Sequence, residues 1–359
     1  MPSIRVVDLF CSAGGLTLGV AEASASLFHG TRVLLAVDTD AKALGVYNRN
    51  IRPLSVSSQS VATLARYGVV SDGKAMRIAG IPEIQPPLLE AVGQVDLLIG
   101  GPPCQGHSGL NNATRRTDPR NSLYLAAVAT AIGLGARAVL LENVPEIRRS
   151  SIDVVTSARR SLDAAGYETD EAVLCASDLG WPQSRKRHFL IASKSGLSPL
   201  ARVAQAFVEE PPGAADFLRS LPKRSPFLES IPEYNGATRD RLRYFEENPD
   251  QFDLPLSERP TCHSEGTTYR SVYGRMRPDE PVPTLTTGFL TPGRGRFVHP
   301  FEKRTLTPGE AAFVQGFPAW FDFDSDGVTR QDLTKWIGDA VPLPLGYIAA
   351  MSILPGLVE

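Results

Sequence analysis

Four short apolar runs, each breaking off in glycine, aspartate, glutamate or proline, constrain this chain's fold more than any other feature. Residues 4–10 end in a turn at 11–15, residues 31–37 stop at Asp38-Thr39-Asp40, residues 95–99 run into Gly100-Gly101-Pro102-Pro103, and residues 138–141 lead into Glu142-Asn143. Between the first two, residues 16–28 carry spaced apolar positions that stop before Gly30, the pattern of a helix and its end. Strands too apolar to have a wet face, alternating with helices, predict an α/β fold: a doubly wound, mostly parallel, Rossmann-like sheet. From about residue 195 to 304 the texture changes, with crowded prolines, glycines and arginines and no regular period, so a smaller irregular domain is expected there. Helical patterning returns at 308–314 and 343–354. The expected organisation is therefore 1–194 for the sheet domain, 195–304 for the small domain, and 305–359 returning to the first.

Composition narrows the class. With 42% hydrophobic and 21% charged residues in 359, the chain has material for a packed core, which excludes disorder as its main state. A net charge of -2 excludes a polycation but permits a local basic groove. Cys11, Cys104, Cys175 and Cys262 are widely spaced and form no Cys-x-x-Cys pair, so neither a zinc site nor a disulfide framework is indicated and no metal is expected. No run of about 18 apolar residues occurs. The expectation is a cytoplasmic protein without a membrane segment.

In an open parallel sheet the ligand lies beyond the carboxyl ends of the strands, so the residues after each run carry the functional reading. After the first run, Gly14 and Gly15 would let helix-start amides approach a ligand, or serve only a tight turn. After the second, Asp38 could accept hydrogen bonds from a ribose, or be a solvated loop aspartate. After the third, two glycines and two prolines specify a loop that presents Cys104, either a nucleophile or a buried structural thiol. After the fourth, Glu142 brings a carboxyl group to the same edge.

These residues belong to a longer ordered series: 8–15, 38–40, Pro102-Pro103-Cys104-Gln105, Asp118-Pro119-Arg120-Asn121-Ser122-Leu123, Glu142-Asn143-Val144, Gln183-Ser184-Arg185-Lys186-Arg187, 277–287 with its Pro-Thr-Leu-Thr-Thr, 310–317 with its Gln-Gly-Phe-Pro, and Gly338-Asp339-Ala340-Val341-Pro342. In their order, and over nearly the whole chain, they resemble the cytosine-C5 DNA methyltransferases, which use S-adenosylmethionine. Residues 195–275 match no block, as the variable target-recognition region of that family would.

The resemblance implies roles. Cytosine C5 is a poor nucleophile, and a thiolate added at C6 turns the ring into an enamine able to attack a sulfonium methyl group. Cys104 would be that thiolate, Glu142 the acid at N3, and Arg185 and Arg187 the arginines of the Gln-x-Arg-x-Arg block, the first holding the flipped base. Asn143 would support the loop around Cys104. For the cofactor, Phe10 and Cys11 would lie against its adenine or methionine part, and the amides at Ala13, Gly14 and Gly15 would meet its carboxylate. Asp38 and Thr39 would meet the ribose, while Pro102 and Leu123 line the cleft. Three departures from the family stand out. Ser12 replaces a usual glycine, Ser60-Val61 stands where the adenine-binding block is expected, and Asp339, beside Ala340 and Val341, replaces an asparagine near the cofactor's amino-acid end.

The partner implied is double-stranded DNA with the target base turned out, because stacking covers C6. Residues 259–304 hold eight Lys or Arg against four acids. Arg275, Arg277, Arg294 and Arg296, with Thr286, Gln105 and Ser108, are the expected DNA contacts. The protein is expected to act as a monomer, in restriction-modification or phage defence alongside other proteins of such a system. Two other readings remain: an RNA methyltransferase of the tRNA branch, whose Cys-Phe-Thr signature is absent, and a catalytically silent DNA-binding relative. A nicotinamide-dependent dehydrogenase would leave the Pro-Pro-Cys block unexplained.

Overall fold

The computed structural model describes residues 2–72, 75–103, 122–149, 153–261, 271–324 and 326–358. Nine strands are present among them: β1 (Ser3–Leu9), β2 (Gly30–Val37), β3 (Val56–Ser57), β4 (Ala65–Asp72), β5 (Ala75–Ile84), β6 (Leu97–Gly100), β7 (Ala138–Asn143), β8 (Glu168–Cys175) and β9 (Lys186–Ser193). Seven form one sheet in the order β3-β2-β1-β6-β7-β9-β8. All its pairings are parallel except those of β9, which runs antiparallel to both neighbours. The winding reverses between β1 and β6, so the ligand crevice of such a sheet opens at their carboxyl ends. β4 and β5 pair only with each other, as an antiparallel hairpin between β3 and β6.

Helices α1 (Gly15–Ser26), α2 (Ala41–Ile51), α3 (Ser122–Leu134) and α4 (Val154–Ala164) belong to the same part of the chain. Strand alternation divides their contacts. Val7 and Leu9 of β1 enter a core with Leu98, Leu141 and the apolar faces of α3 and α4, whereas Asp8 points to the side of α1 and α2. α3 is buried nearly all round, as its alanine-rich sequence allows, and a Cβ at Gly133 would lie 2.8 Å from the Pro82 carbonyl oxygen of β5. α4 seals the outer edge of β5, because the hydroxyls of Ser157 and Ser161 accept from Met76 N and Ile78 N. This leaves fewer unpaired donors on an edge strand.

The chain divides into two compact units. The first comprises 1–175, 186–208 and 341–359; the second comprises 176–185 and 209–340. These units are bounded differently from the expected domains at two places. Residues 195–208 stay with the sheet, where Leu200 N donates to Asp170 of β8 and Ser198 N to the Ser352 carbonyl. Residues 305–340, expected to return to the sheet, instead belong to the second unit. There Arg304 grips Glu310, the Trp181 indole donates to the Val314 carbonyl, and Gly338 packs on the backbone of Thr286 and Thr287. The small region is also less irregular than its proline content suggested. Helices Leu200–Gln205, Ala214–Ser220 and Gly236–Glu247 lie within 195–304, the last with Asn235 accepting from Thr238 N at its start. No helix among the described residues is long and apolar enough to cross a membrane.

Candidate active site

The first unit supplies a loop at the end of β1 with an unusual backbone. Phe10 (φ 58), Ser12 (φ 46) and Gly14 (φ 101) alternate in the left-handed region, coiling the turn tightly enough to start α1 at Gly15. Cys11 N donates to the Val37 carbonyl, tying the turn to the end of β2, and Gly14 N donates back to the Cys11 carbonyl. The family's usual glycine at position 12 is accounted for: the backbone there has the sign of φ that glycine tolerates best, and Ser12 adopts it. Its amide donates to Asp38 Oδ2 at 2.9 Å, while Asp38 Oδ1 accepts from Asp40 N at 2.8 Å. Asp38 thus holds two loops together and retains acceptor capacity. Thr39 is exposed beside it, and Asp40 caps α2 through Ala43 N.

The start of α1 bears no side-chain cap and no acidic residue in its first turn, so the amides around Ala13, Gly14 and Gly15 form a positive helix end. Cys11 is buried, and burial pushes its thiol pKa well up. Ser60 follows β3 and caps the short helical turn Val61–Thr63, accepting from Ala62 N, with Val61 in the core. Leu123 lies in the first turn of α3, half-buried.

A polar cluster that the sequence reading did not single out lies beneath this loop. Asp8 is 1% exposed and accepts from Thr17 Oγ1 (2.5 Å) and Tyr47 Oη (3.1 Å), while those two hydroxyls lie 2.9 Å apart. Burial raises its pKa to about 7, opposed by these hydrogen bonds and assisted by the charge of Asp38. Its sequence signal was a carboxylate inside an apolar strand.

At the end of β7, Glu142 is 7% exposed, and Arg187 Nε of the adjacent β9 lies 2.7 Å from its Oε1. Gly101 stands against the same carboxyl group, since a Cβ there would be 3.2 Å from Oε2. Asn143 Nδ2 donates to the carbonyl of buried Pro102 at 3.1 Å, and its Oδ1 accepts from Val144 N. The end of β7 thereby grips the segment that leads toward Cys104. Cys104 itself, with Gln105 and Ser108, lies outside the described residues.

In the second unit Arg185 turns inward. It is 1% exposed and donates to the carbonyls of Leu285 (2.5 Å) and Gly338 (2.9 Å). This differs from its expected place against a base. The reason is local: β9 begins at Lys186, so Arg187 is on the strand and Arg185 is on the preceding loop. Gly338 is required where it stands, because a Cβ would fall 2.6 Å from the Thr286 carbonyl carbon. Asp339, exposed, ends the helix Arg330–Asp339, and Ala340 closes it, its carbonyl accepting from Gln315 Nε2. Val341 is buried at the start of the segment returning to the first unit.

The expected DNA contacts divide as well. Arg275 is buried and donates to the carbonyls of Phe245, Pro249 and Gln251. Arg296 binds the carbonyls of Phe252 and Arg275 and pairs with Asp253 at 2.6 Å. Arg275 is buried and Arg296 half-buried, both engaged within the second unit. Arg277 lies over the Phe252 ring and faces Glu280 at 3.5 Å. Arg294 is exposed, and Thr286 is half-buried.

Residues 4–354 match the C-5 cytosine-specific DNA methylase family. The chain belongs to that family. It is 37% identical over 354 residues to the Type II methyltransferase M1.BsuMI of Bacillus subtilis, covering 97% of this chain and 80% of the relative. It is 28% identical over 368 residues to the Type II methylase M.HgiDII of Herpetosiphon aurantiacus, covering 99% and 97%. Among solved structures, a putative DNA modification methyltransferase encoded within an E. coli prophage superimposes with a TM-score of 0.68 at 23% identity, over 99% of this chain and all of the other. The S. pombe Dnmt2 methyltransferase gives 0.66 at 17%, over 98% and 99%. At these identities the two structures bear on the fold alone. Family and fold make this methylase an enzyme with a Rossmann-like sheet.

Proposed function

We propose that the enzyme transfers a methyl group from S-adenosylmethionine to C5 of a flipped-out cytosine in a specific double-stranded DNA sequence, as the modification arm of a bacterial restriction-modification or phage-defence system. The observation that carries this is the Glu142–Arg187 pair at the carboxyl end of β7, beside the strand β6 whose chain leads through Gly101 and Pro102 toward Cys104.

The residues after β1 and β2 fit the cofactor: uncapped amides at the start of α1 suit its carboxylate, and the free acceptor sites of Asp38 suit ribose hydroxyls. When bound, it supplies a methyl group on a positively charged sulfur. Phe10 and Leu123 offer apolar surface, and Pro102 is fixed by Asn143. Toward the base, the Cys104 thiolate would add to C6 and push the ring electrons to C5, which would take the methyl group as the electrons of the broken bond return to the cofactor sulfur, leaving a neutral thioether. A base would then remove the C5 proton, and the electrons of that C–H bond would restore the ring and expel the Cys104 thiolate. Glu142, paired with Arg187 as a carboxylate, would have to take up a proton to donate to N3 as charge develops there, and Arg187 takes over the base-holding role expected of Arg185. Arg185 holds the chain at Leu285 and Gly338. The enzyme acts as a monomer on DNA in the cytoplasm.

Duplex DNA carrying 5-fluorocytosine at the methylated position tests the chemistry, because fluorine cannot leave as the C5 proton does. With S-adenosylmethionine present, the wild type is expected to form a denaturant-stable adduct, and Cys104→Ala none. The methylated position comes from sequencing host DNA for 5-methylcytosine with and without the gene. A methylating enzyme that forms no adduct, or an active Cys104→Ala variant, overturns the mechanism.

A further inference from the structure

Most of the described cations of residues 259–304 are paired within the second unit. Arg275 and Arg296 are bound to carbonyls and Asp253, Arg304 is held between Glu302 and Glu310, and Lys303 pairs with Glu246. Arg259 donates to the Leu254 carbonyl, and Arg277 faces Glu280. Of the described cations in this stretch, Arg294 alone has neither an acid nor a carbonyl partner, and it is exposed. It is nonetheless firmly placed. Its stem crosses Gly288, where a Cβ would lie 2.8 Å from its Cγ and 3.0 Å from its Cβ. Its own backbone closes the short helical turn Pro292–Arg294, with Arg294 N donating to the Thr291 carbonyl and Thr291 N to that of Gly288. Tyr273 N, in turn, holds the Pro292 carbonyl. The same segment begins at Leu285 and Thr286, which Arg185 and Gly338 anchor.

An exposed guanidinium with no counter-ion among the described residues, on a stem fixed by backbone, loses little conformational freedom on binding an anion. We propose that Arg294 is a DNA-phosphate anchor of this enzyme, positioning the duplex without reading its sequence. The proposal rests on the DNA-methylating reading. A phosphate anchor weakens cognate and unrelated duplexes alike and releases one counter-ion, whereas a guanidinium reading guanine would weaken the cognate duplex alone.

The test measures binding of a cognate and a scrambled duplex at several salt concentrations for wild type, Arg294→Ala, Arg294→Lys and, as a control for general charge loss, Lys223→Ala, at an exposed lysine of the same unit. Arg294→Ala is expected to weaken both duplexes about eightfold near 0.1 M salt and to reduce the slope of log affinity against log salt by about 0.9. Arg294→Lys should retain the slope, and Lys223→Ala should change it much less. Unchanged binding by Arg294→Ala, a loss confined to the cognate duplex, or an equal effect of Lys223→Ala overturns the proposal. A wild type that binds neither duplex overturns the DNA reading instead, so the two failures are distinct.

Discussion

Ser12 adopts a backbone conformation that costs an L-residue roughly 1–2 kcal/mol, and a branched Cβ makes it worse. Ser12→Val is therefore expected to lower unfolding stability by about 1–2 kcal/mol in urea titration, while Ser12→Gly lowers it little or raises it. Equal stability of the two variants would show that the turn relaxes without consequence. The sequence contained this position as a departure from a family glycine, but not its φ. It was also silent on how the two arginines of Gln-x-Arg-x-Arg differ. Residues 185 and 187 have the same parity, so strand alternation assigns them one face; only the start of β9 at Lys186 separates them. Glu142 and Asp38 were legible because each ends an apolar run. Asp8 was not singled out because a lone carboxylate in such a run gives no hint of Thr17 and Tyr47 closing over it.

At the scale of elements, glycines mark the closest approaches. A Cβ on Gly19 of α1 would lie 2.6 Å from the Leu343 carbonyl oxygen and 2.8 Å from Tyr347 N, at the start and middle of the helix Leu343–Met351. Backbone gives way only by moving a helix, so Gly19→Ala should destabilise the protein by about 1–3 kcal/mol despite alanine's better helix propensity. Thermal unfolding would check this, and an unchanged midpoint would mean that α1 shifts freely. The runs ending at Val37, Gly100 and Asn143 were readable as strands from their apolar content. β8 was not, because Glu168, Asp170 and Glu171 break its pattern; Arg148, Arg159 and His188, far apart in sequence, meet Glu171 there. The β4–β5 hairpin was missed for a related reason: α3 and α4 cover one side of it, while Val69, Val70 and Ile81 remain exposed.

For the whole molecule, Asp8 makes stability depend on pH. Its pKa is raised from 3.8 to about 7 by burial, so folding takes up a proton between those values. The stability this contributes is complete below about pH 4 and is lost as pH rises through about 7, with a slope of at most about 1.4 kcal/mol per pH unit. The difference in unfolding free energy between wild type and Asp8→Asn should therefore decline across that window and level off above it; parallel profiles would remove Asp8 as the cause. The two units also carry a consequence for exchange of the second unit between related genes. The chain passes between the units four times, and the short passage 176–185 belongs with 209–340. A gene exchange replacing only 209–340 would leave a foreign partner for Gln183, whose backbone pairs with Val282, and for Arg185, which needs carbonyls where Leu285 and Gly338 now present them. An exchange keeps each of these pairs within one parent only if it carries 176–185 together with 209–340, or if both its breakpoints fall between Glu209 and Val282, short of the anchors.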